Sequence, residues 1–421
     1  VKSDISTRSD GTTSRRRFLA AGVGTLGLGT FGGCLSSVRG DGRDPVKFGM
    51  VAPLSGSLER IGTHCKRAVE QAVADVNDAG GVLDRPVELV VVDSGASAET
   101  AVSEYESMRG EGVVGFVGGL VSDVSIALAP KAAEDGLMEV SPASTSPSLT
   151  GAGVNGDRTF FGRTIPSDLL QSVVMAKALD DPRYVDADRV SLVYIDNAYG
   201  SGLAEALHEN LSASVAADVA YDPSADDFAP VVEEAFADDP DAVGFVSASG
   251  QEKGVLDAYD ASDYEAPWVF STGMLSGDLP SYYEGFYSAS LSSVRTNGYL
   301  TLTKKLSELD PIAPYAVNGY DALMLMAAAA EHAGEAAGPA IADSIRAVSG
   351  GTGHTFSVGE FDRARALLDA GRDVNYQGAA SGVDLNADLE PLSPYVVERV
   401  TDGGVEQLEL IQKGYFGGDG Q

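Results

Sequence analysis

Cysteine is almost absent from this chain: Cys34 and Cys65 are the only two in 421 residues. A disulfide-stapled scaffold is therefore excluded, and so is a thiolate metal site. Histidine is nearly as scarce. His64, His208, His332 and His354 lie far apart, and none falls in H-E-x-x-H or a comparable metal-ligand spacing. There is no G-x-S-x-G elbow and no G-x-x-x-x-G-K-[ST] loop. The residues offer no catalytic set, no metal site and no cofactor motif. Positive charge is also short: 29 Lys and Arg, only nine of them Lys, face 62 Asp and Glu, a formal net of −33. The acid is spread along the whole chain, so nucleic acid is not the expected partner, because phosphate binding needs basic clusters. A dispersed, lysine-poor acidic surface is what a protein of a halophile, working in concentrated salt, shows; the alternative is an ordinary acidic protein.

What is present is a globular composition, 44% hydrophobic, with length for two to three domains' worth of core. The exception is the start. "SRRRFLAAGVGTLGLGTFGGC" (Ser14 to Cys34) is too short and too rich in glycine for a membrane span. Its two G-x-G-x-x-G matches, Gly22-Gly24-Gly27 and Gly27-Gly29-Gly32, follow a charged tripeptide and not a strand, so they are not a dinucleotide loop. A basic n-region, with Arg15 and Arg16, followed by a weakly apolar run resembles a twin-arginine export signal. Phe31-Gly32-Gly33-Cys34 resembles a lipobox, in which the cysteine takes a lipid; the alternative is a non-lipidated signal cleaved nearby. Residues 1–33 are thus expected to be the signal, and 34–44 a lipidated Cys34 with its polar tether. That places the mature protein outside the cytoplasmic membrane and anchored to it. Cys65 lies in a helical pattern and reads as a small buried hydrophobe. Asn210-Leu211-Ser212 is a glycosylation sequon.

From Pro45 onward, short β-rich runs alternate with helical stretches. "VKFGMVAP", "VELVVVD", "VVGFVG" and "LMEVS" read as strands, separated by helices over Leu58–Asn77, Glu99–Arg109 and Ser122–Glu134. The pattern restarts after Pro166 with the strands "VSLVYID", "SVAADVAY", "AVGFVSA" and "PWVFS". This predicts an α/β protein with two doubly wound parallel-sheet units. In such sheets ligands bind beyond the carboxyl ends of the strands. There the sequence places "GGLVSD" (Gly118–Asp123) and "SPASTSPSLT" (Ser141–Thr150), whose hydroxyls and free N–H groups suit a carboxylate. For Ser122 plain helix capping is the competing role.

Seven segments then appear in order: "PLSGSLERIG", "AVADVNDAGGVLDRPVELVVVD", "SPASTSPSLT", "FGRTIPSDLLQ", "YIDNAYGSGLAEAL", "DDFAPVVEEAFADDPDAV" and "YAVNGYDALMLMAAAAEHAG". Together, over about Pro45 to Gln412, they resemble the leucine/isoleucine/valine-binding family of type I periplasmic solute-binding proteins. The resemblance implies two lobes joined by three crossovers, with the ligand in the cleft between them. Lobe 1 is expected over 45–165 and 297–380, and lobe 2 over 166–296 and 381–412. The family's carboxylate-binding positions fall on Ser122, Ala143 and Thr145, and Ser144 between the last two is expected to bind ligand with them. The Tyr of its "YG" motif falls on Tyr199. Asp168 matches its Asp after the first crossover, either as a ligand contact or as a hinge or helix-cap acid.

The resemblance further implies no enzymatic activity and no cofactor. It implies a monomer that takes a small solute by lobe closure and hands it to an ABC permease in the membrane; a sensor of the same fold is the alternative. One departure is visible. Amino-acid binders carry an acid after the strand matching "PWVFS", whereas this chain reads Ser271-Thr272-Gly273-Met274, with no acid before Asp278. The companion loop Ser247-Ala248-Ser249-Gly250 has no aromatic residue. A buried ammonium without a counter-charge is costly. The expected ligand therefore bears a carboxylate or amide, and amino-acid specificity stays open.

Overall fold

The structure, a computed structural model, describes residues 43–248, 250–275, 279–292 and 295–416. The export signal with Arg15 and Arg16, the expected lipid site at Cys34, and also Ser249 and Asp278 lie outside them.

Two open sheets organise the described chain. The first has five parallel strands in the order 87–93, 46–52, 115–118, 138–141, 161–163. The second runs 214–221, 189–195, 242–246, 268–270, 287–291 in parallel, and is completed by the antiparallel strands 395–401 and 404–411. The parallel strands are near-continuous apolar runs because helices cover both faces. Ala242–Val246, for example, is buried at every position. The wholly parallel expectation therefore gains one antiparallel edge: Gly404–Ile411 is exposed at most positions, Glu406 among them, as an edge strand permits.

Each sheet has its own core. In the first, the helix Ala316–Ala333 is buried on almost every side, as its continuous run of Ala, Leu and Met requires. It packs against Glu59–Asp78, where Cys65 is fully buried and its thiol pushed up to about 12 by desolvation. In the second, Trp268, the chain's one tryptophan, is fully buried, with its ring centroid 5.2 Å from Phe245 and 4.9 Å from Tyr259.

The chain passes between the sheets three times: after Arg163, after Leu291, and between Gln377 and Tyr395. On the last passage Leu385 and Leu389 still pack in the first core, and the chain enters the second sheet at Tyr395. The passages are tied to one another and to the first lobe. Thr164 and Asn318 exchange side chain-to-carbonyl bonds of 2.9 Å. The Thr296 hydroxyl donates to the carbonyls of Gly378 and Ala379. The buried Asp321 carboxylate accepts the N–H groups of Ala379 and Ala380, both at 2.8 Å.

Candidate functional site

The loops after strands 115–118 and 138–141 are bound together by serines. The Gly119 carbonyl accepts the hydroxyls of Ser125 at 3.0 Å and Ser141 at 2.7 Å, and also that of Ser144. Gly119 has φ +58, and a Cβ there would stand 1.8 Å from the Ser125 Oγ, so the close approach requires glycine. Ser144 is fully buried; its N–H bonds the Ser141 Oγ at 2.9 Å. Its side chain therefore holds the loop from inside the first lobe. The Ala143 N–H reaches the same oxygen at 3.3 Å.

Ser122 opens the helix Ser122–Asp135, but the cap position is Val121 and no side chain caps the helix. The Ser122 Oγ instead accepts the Ser146 N–H at 3.3 Å, which leaves its own proton to donate. Asp168 is likewise not a cap. Ser167 fills that role, accepting the Leu169 N–H at 3.3 Å. The Asp168 N–H donates to the Thr145 carbonyl at 2.9 Å, and the nearby Thr145 hydroxyl favours the ionised form of the Asp168 carboxyl. Capping thus accounts for neither residue, and Ser122, Thr145 and Asp168 meet where the first passage leaves the first lobe.

The Asp168 carboxyl is 1% exposed, and its Oδ2 has no hydrogen-bond partner among the described residues. Burial raises its pKa to about 7, against the opposing pull of the Thr145 hydroxyl and the Arg163 charge. Three phenols feel its charge. Tyr199 and Tyr395 are raised well above their ordinary value, and Tyr315 to about 12, in each case by desolvation first and by Asp168 next. Tyr199 comes from the second lobe, where Asn197 caps its helix and the Ser271 Oγ receives its hydroxyl at 3.1 Å. In the loop without an acid, Ser271 thus positions Tyr199, and the Thr272 hydroxyl accepts from Gln171 at 2.9 Å.

Arg163 holds this arrangement from beneath. It is fully buried, donates at 3.1 Å to the carbonyls of both Ser144 and Ser146, and pairs with Glu390. Arg163, Tyr315 and Tyr395 were not singled out by the residues alone. Arg163 and Tyr315 lie inside quoted segments, "FGRTIPSDLLQ" and "YAVNGYDAL", but only folding brings them beside Asp168. Among the described residues no group of His, Cys, Asp and Glu could hold a metal ion, and no helix is long and apolar enough to cross a membrane.

The site thus offers hydroxyl donors for an anion, one buried carboxyl with a free oxygen, and phenols near enough to feel its charge. Comparison with known proteins shows the family. The periplasmic binding protein family matches residues 45–367. The chain is 39% identical to the chemotactic signal transduction system substrate-binding protein BasB of Halobacterium salinarum, over 89% of this chain and 92% of that one. It is 27% identical to the Leu/Ile/Val-binding protein BraC3 of Rhizobium johnstonii, over 69% and 80% of the two chains. The fold is shared with the leucine-binding protein LivK of Thermotoga maritima, with TM-score 0.68 and 22% identity over 87% and 99% of the chains. It is shared equally with LivJ of Streptococcus pneumoniae, solved with isoleucine, with TM-score 0.68 and 18% identity over 88% and 100%. The chain belongs to the periplasmic binding protein family, as a relative of its Leu/Ile/Val-binding members.

Proposed function

We propose that this protein captures a small α-amino acid between its lobes outside the cytoplasmic membrane and presents the closed form to a membrane partner. The observation that carries this is the free, buried Oδ2 of Asp168 beside the Thr145 hydroxyl. The hydroxyls of Ser122 and Thr145 take the ligand carboxylate. Asp168 takes its ammonium, in place of the acid that amino-acid binders carry after the strand matching 268–270. Each partner answers the other's desolvation: an unpaired buried carboxylate is costly, and a buried ammonium restores the pair. Tyr199 and Tyr315 exclude water from the contact. Closure brings the second lobe down by hinge bending at the three passages.

Delivery to an ABC permease fits the likeness to Leu/Ile/Val-binding proteins. Delivery to a chemotaxis signalling partner is favoured by the extent of the match to BasB. Deleting the gene separates them: loss of labelled amino-acid uptake marks an importer, and loss of the tactic response with uptake intact marks a sensor.

The ligand is tested by thermal shift of the mature chain in molar KCl against the amino acids, each with its deaminated acid and its amide, since a ligand specific to the native state raises its stability. At least one amino acid is expected to raise the midpoint above both of its analogues. Equal or larger shifts from the deaminated acids contradict the assignment of Asp168.

A further inference from the structure

A second cavity lies at the hinge, apart from the site just described. Its volume is about 570 Å³, and its walls come from all three passages between the lobes. This is the size of a small-molecule site. Thr164 to Pro166 contribute from the first passage, Leu291, Ser292, Arg295 and Thr296 from the second, and Ala379 to Gly382 with Pro394 from the third. None of Ser122, Ala143, Thr145, Asp168 or Tyr199 lines it; Tyr315 alone borders both places.

Its charge is unusual for this chain. Acidic residues outnumber basic ones by 62 to 29 over the molecule, yet among the described residues no acidic side chain lines this cavity and one arginine does. The Arg295 guanidinium lies over the Tyr299 ring, 5.5 Å from its centroid, and has no carboxylate partner within 4.0 Å among the described residues. A stacked guanidinium keeps its in-plane N–H fork open for a carboxylate. Around it the wall is mostly apolar, with Ile165, Leu291, Pro314, Val317 and the Tyr315 ring. A smaller hollow shares Arg295 and Tyr299 and is lined by both Lys304 and Asp310.

We infer that this hinge cavity is a second ligand site, for an organic anion with an apolar body: Arg295 takes the carboxylate, and the apolar wall takes the body. Its walls are the segments that must rotate when the lobes open. A ligand that fits them in one arrangement only therefore shifts the balance between open and closed forms. The site acts on the hinge, and does not depend on what the main site binds.

The test is calorimetric titration of benzoate into the protein in molar KCl, on the wild type and four variants. Saturable binding is expected. It persists when Ser122→Ala and Thr145→Ala are combined. It weakens at least about tenfold in Arg295→Gln, the loss of a hydrogen bond to a charged group, and less in Arg295→Lys. Ala380→Leu, which fills the cavity without changing charge, abolishes it. Arg295 is exposed, so its variants are expected to fold like the wild type. No saturable binding, binding indifferent to Arg295→Gln, or binding lost only in the Ser122/Thr145 pair overturns the inference.

Discussion

The Asp123 carboxylate, in the first lobe, accepts the backbone N–H of Ala198, in the second, at 3.3 Å. It is a contact across the cleft, between the starts of two helices that carry Ser122 and Tyr199. One turn further along the second helix, Gly202 faces Ser146 and Pro147; a Cβ there would stand 2.9 Å and 3.0 Å from their Oγ and Cδ atoms. The lobes are thus described in a closed arrangement, with the proposed amino-acid site shut between them.

Closure should therefore depend on the absence of a side chain at 202. Gly202→Val places two methyl groups where Ser146 and Pro147 already sit. We expect circular dichroism and melting to stay near wild type, while ligand affinity falls at least about tenfold, the weight of about 1.4 kcal/mol. Undiminished affinity would mean that capture does not need this contact.

Asp168 makes stability depend on pH. In the unfolded chain its carboxyl loses the proton at the ordinary value of 3.8, and in the folded, ligand-free protein only at about 7. Between these values the folded state holds the extra proton, so this group's contribution to stability falls as pH rises through the window and is lowest above 7. Asp321, also raised to about 7 by burial, acts in the same direction. Asp168→Asn should remove part of the fall, not all of it, in urea titrations between pH 4 and 8. For an ammonium ligand the sense is reversed: affinity rises with pH as Asp168 ionises. An Asp168→Asn protein with the wild-type slope would show that the carboxyl is not the titrating group.

Arg163→Met should cost about 3–5 kcal/mol, because it leaves Glu390 buried without its partner. It also releases the carbonyls of Ser144 and Ser146, so ligand affinity should fall with stability. Replacing both partners together, as Arg163→Met with Glu390→Leu, should recover much of the stability and not the affinity. A double variant that binds like the wild type would show that Arg163 is structural alone.

The net charge of −33 predicts dependence on salt. The Debye length is about 3 Å at 1 M and about 10 Å at 0.1 M, so repulsion screened in molar salt acts between neighbouring surface carboxylates in dilute buffer. Emission from the buried Trp268 should report cooperative unfolding as KCl falls well below 1 M, and recovery when it returns. Equal midpoints at 0.1 M and 3 M would remove the halophilic interpretation of the surface.

How far all this was legible in the sequence depends on the kind of signal. Ser214–Tyr221 is a strand over the whole of "SVAADVAY", because Val215, Ala217, Val219 and Tyr221 fall on alternate positions, the period of a strand with one covered face. The three-residue strand Phe161–Arg163 was not visible as one: it is too short to show a period, and it forms only because Met138–Ser141 offers a free edge. The hairpin 395–411 was missed for a related reason, since its partner strand Tyr287–Leu291 lies far away in sequence. Within the site, loop position points to Ser122, the family resemblance adds Thr145 and Tyr199, and it leaves Asp168 open between two roles. Its meaning depends on burial and on an oxygen without a partner, and neither is a property of the linear chain.

The most direct test of the account is the energetic coupling between Asp168 and the ligand amine. Calorimetry would compare the best amino acid from the thermal-shift panel with its deaminated acid, in wild type and in Asp168→Asn, at pH 8 and molar KCl. The account predicts that removing the amine weakens binding to the wild type at least about tenfold and changes binding to Asp168→Asn little. The same loss in both proteins would contradict it, because the amine would then be recognised somewhere other than Asp168.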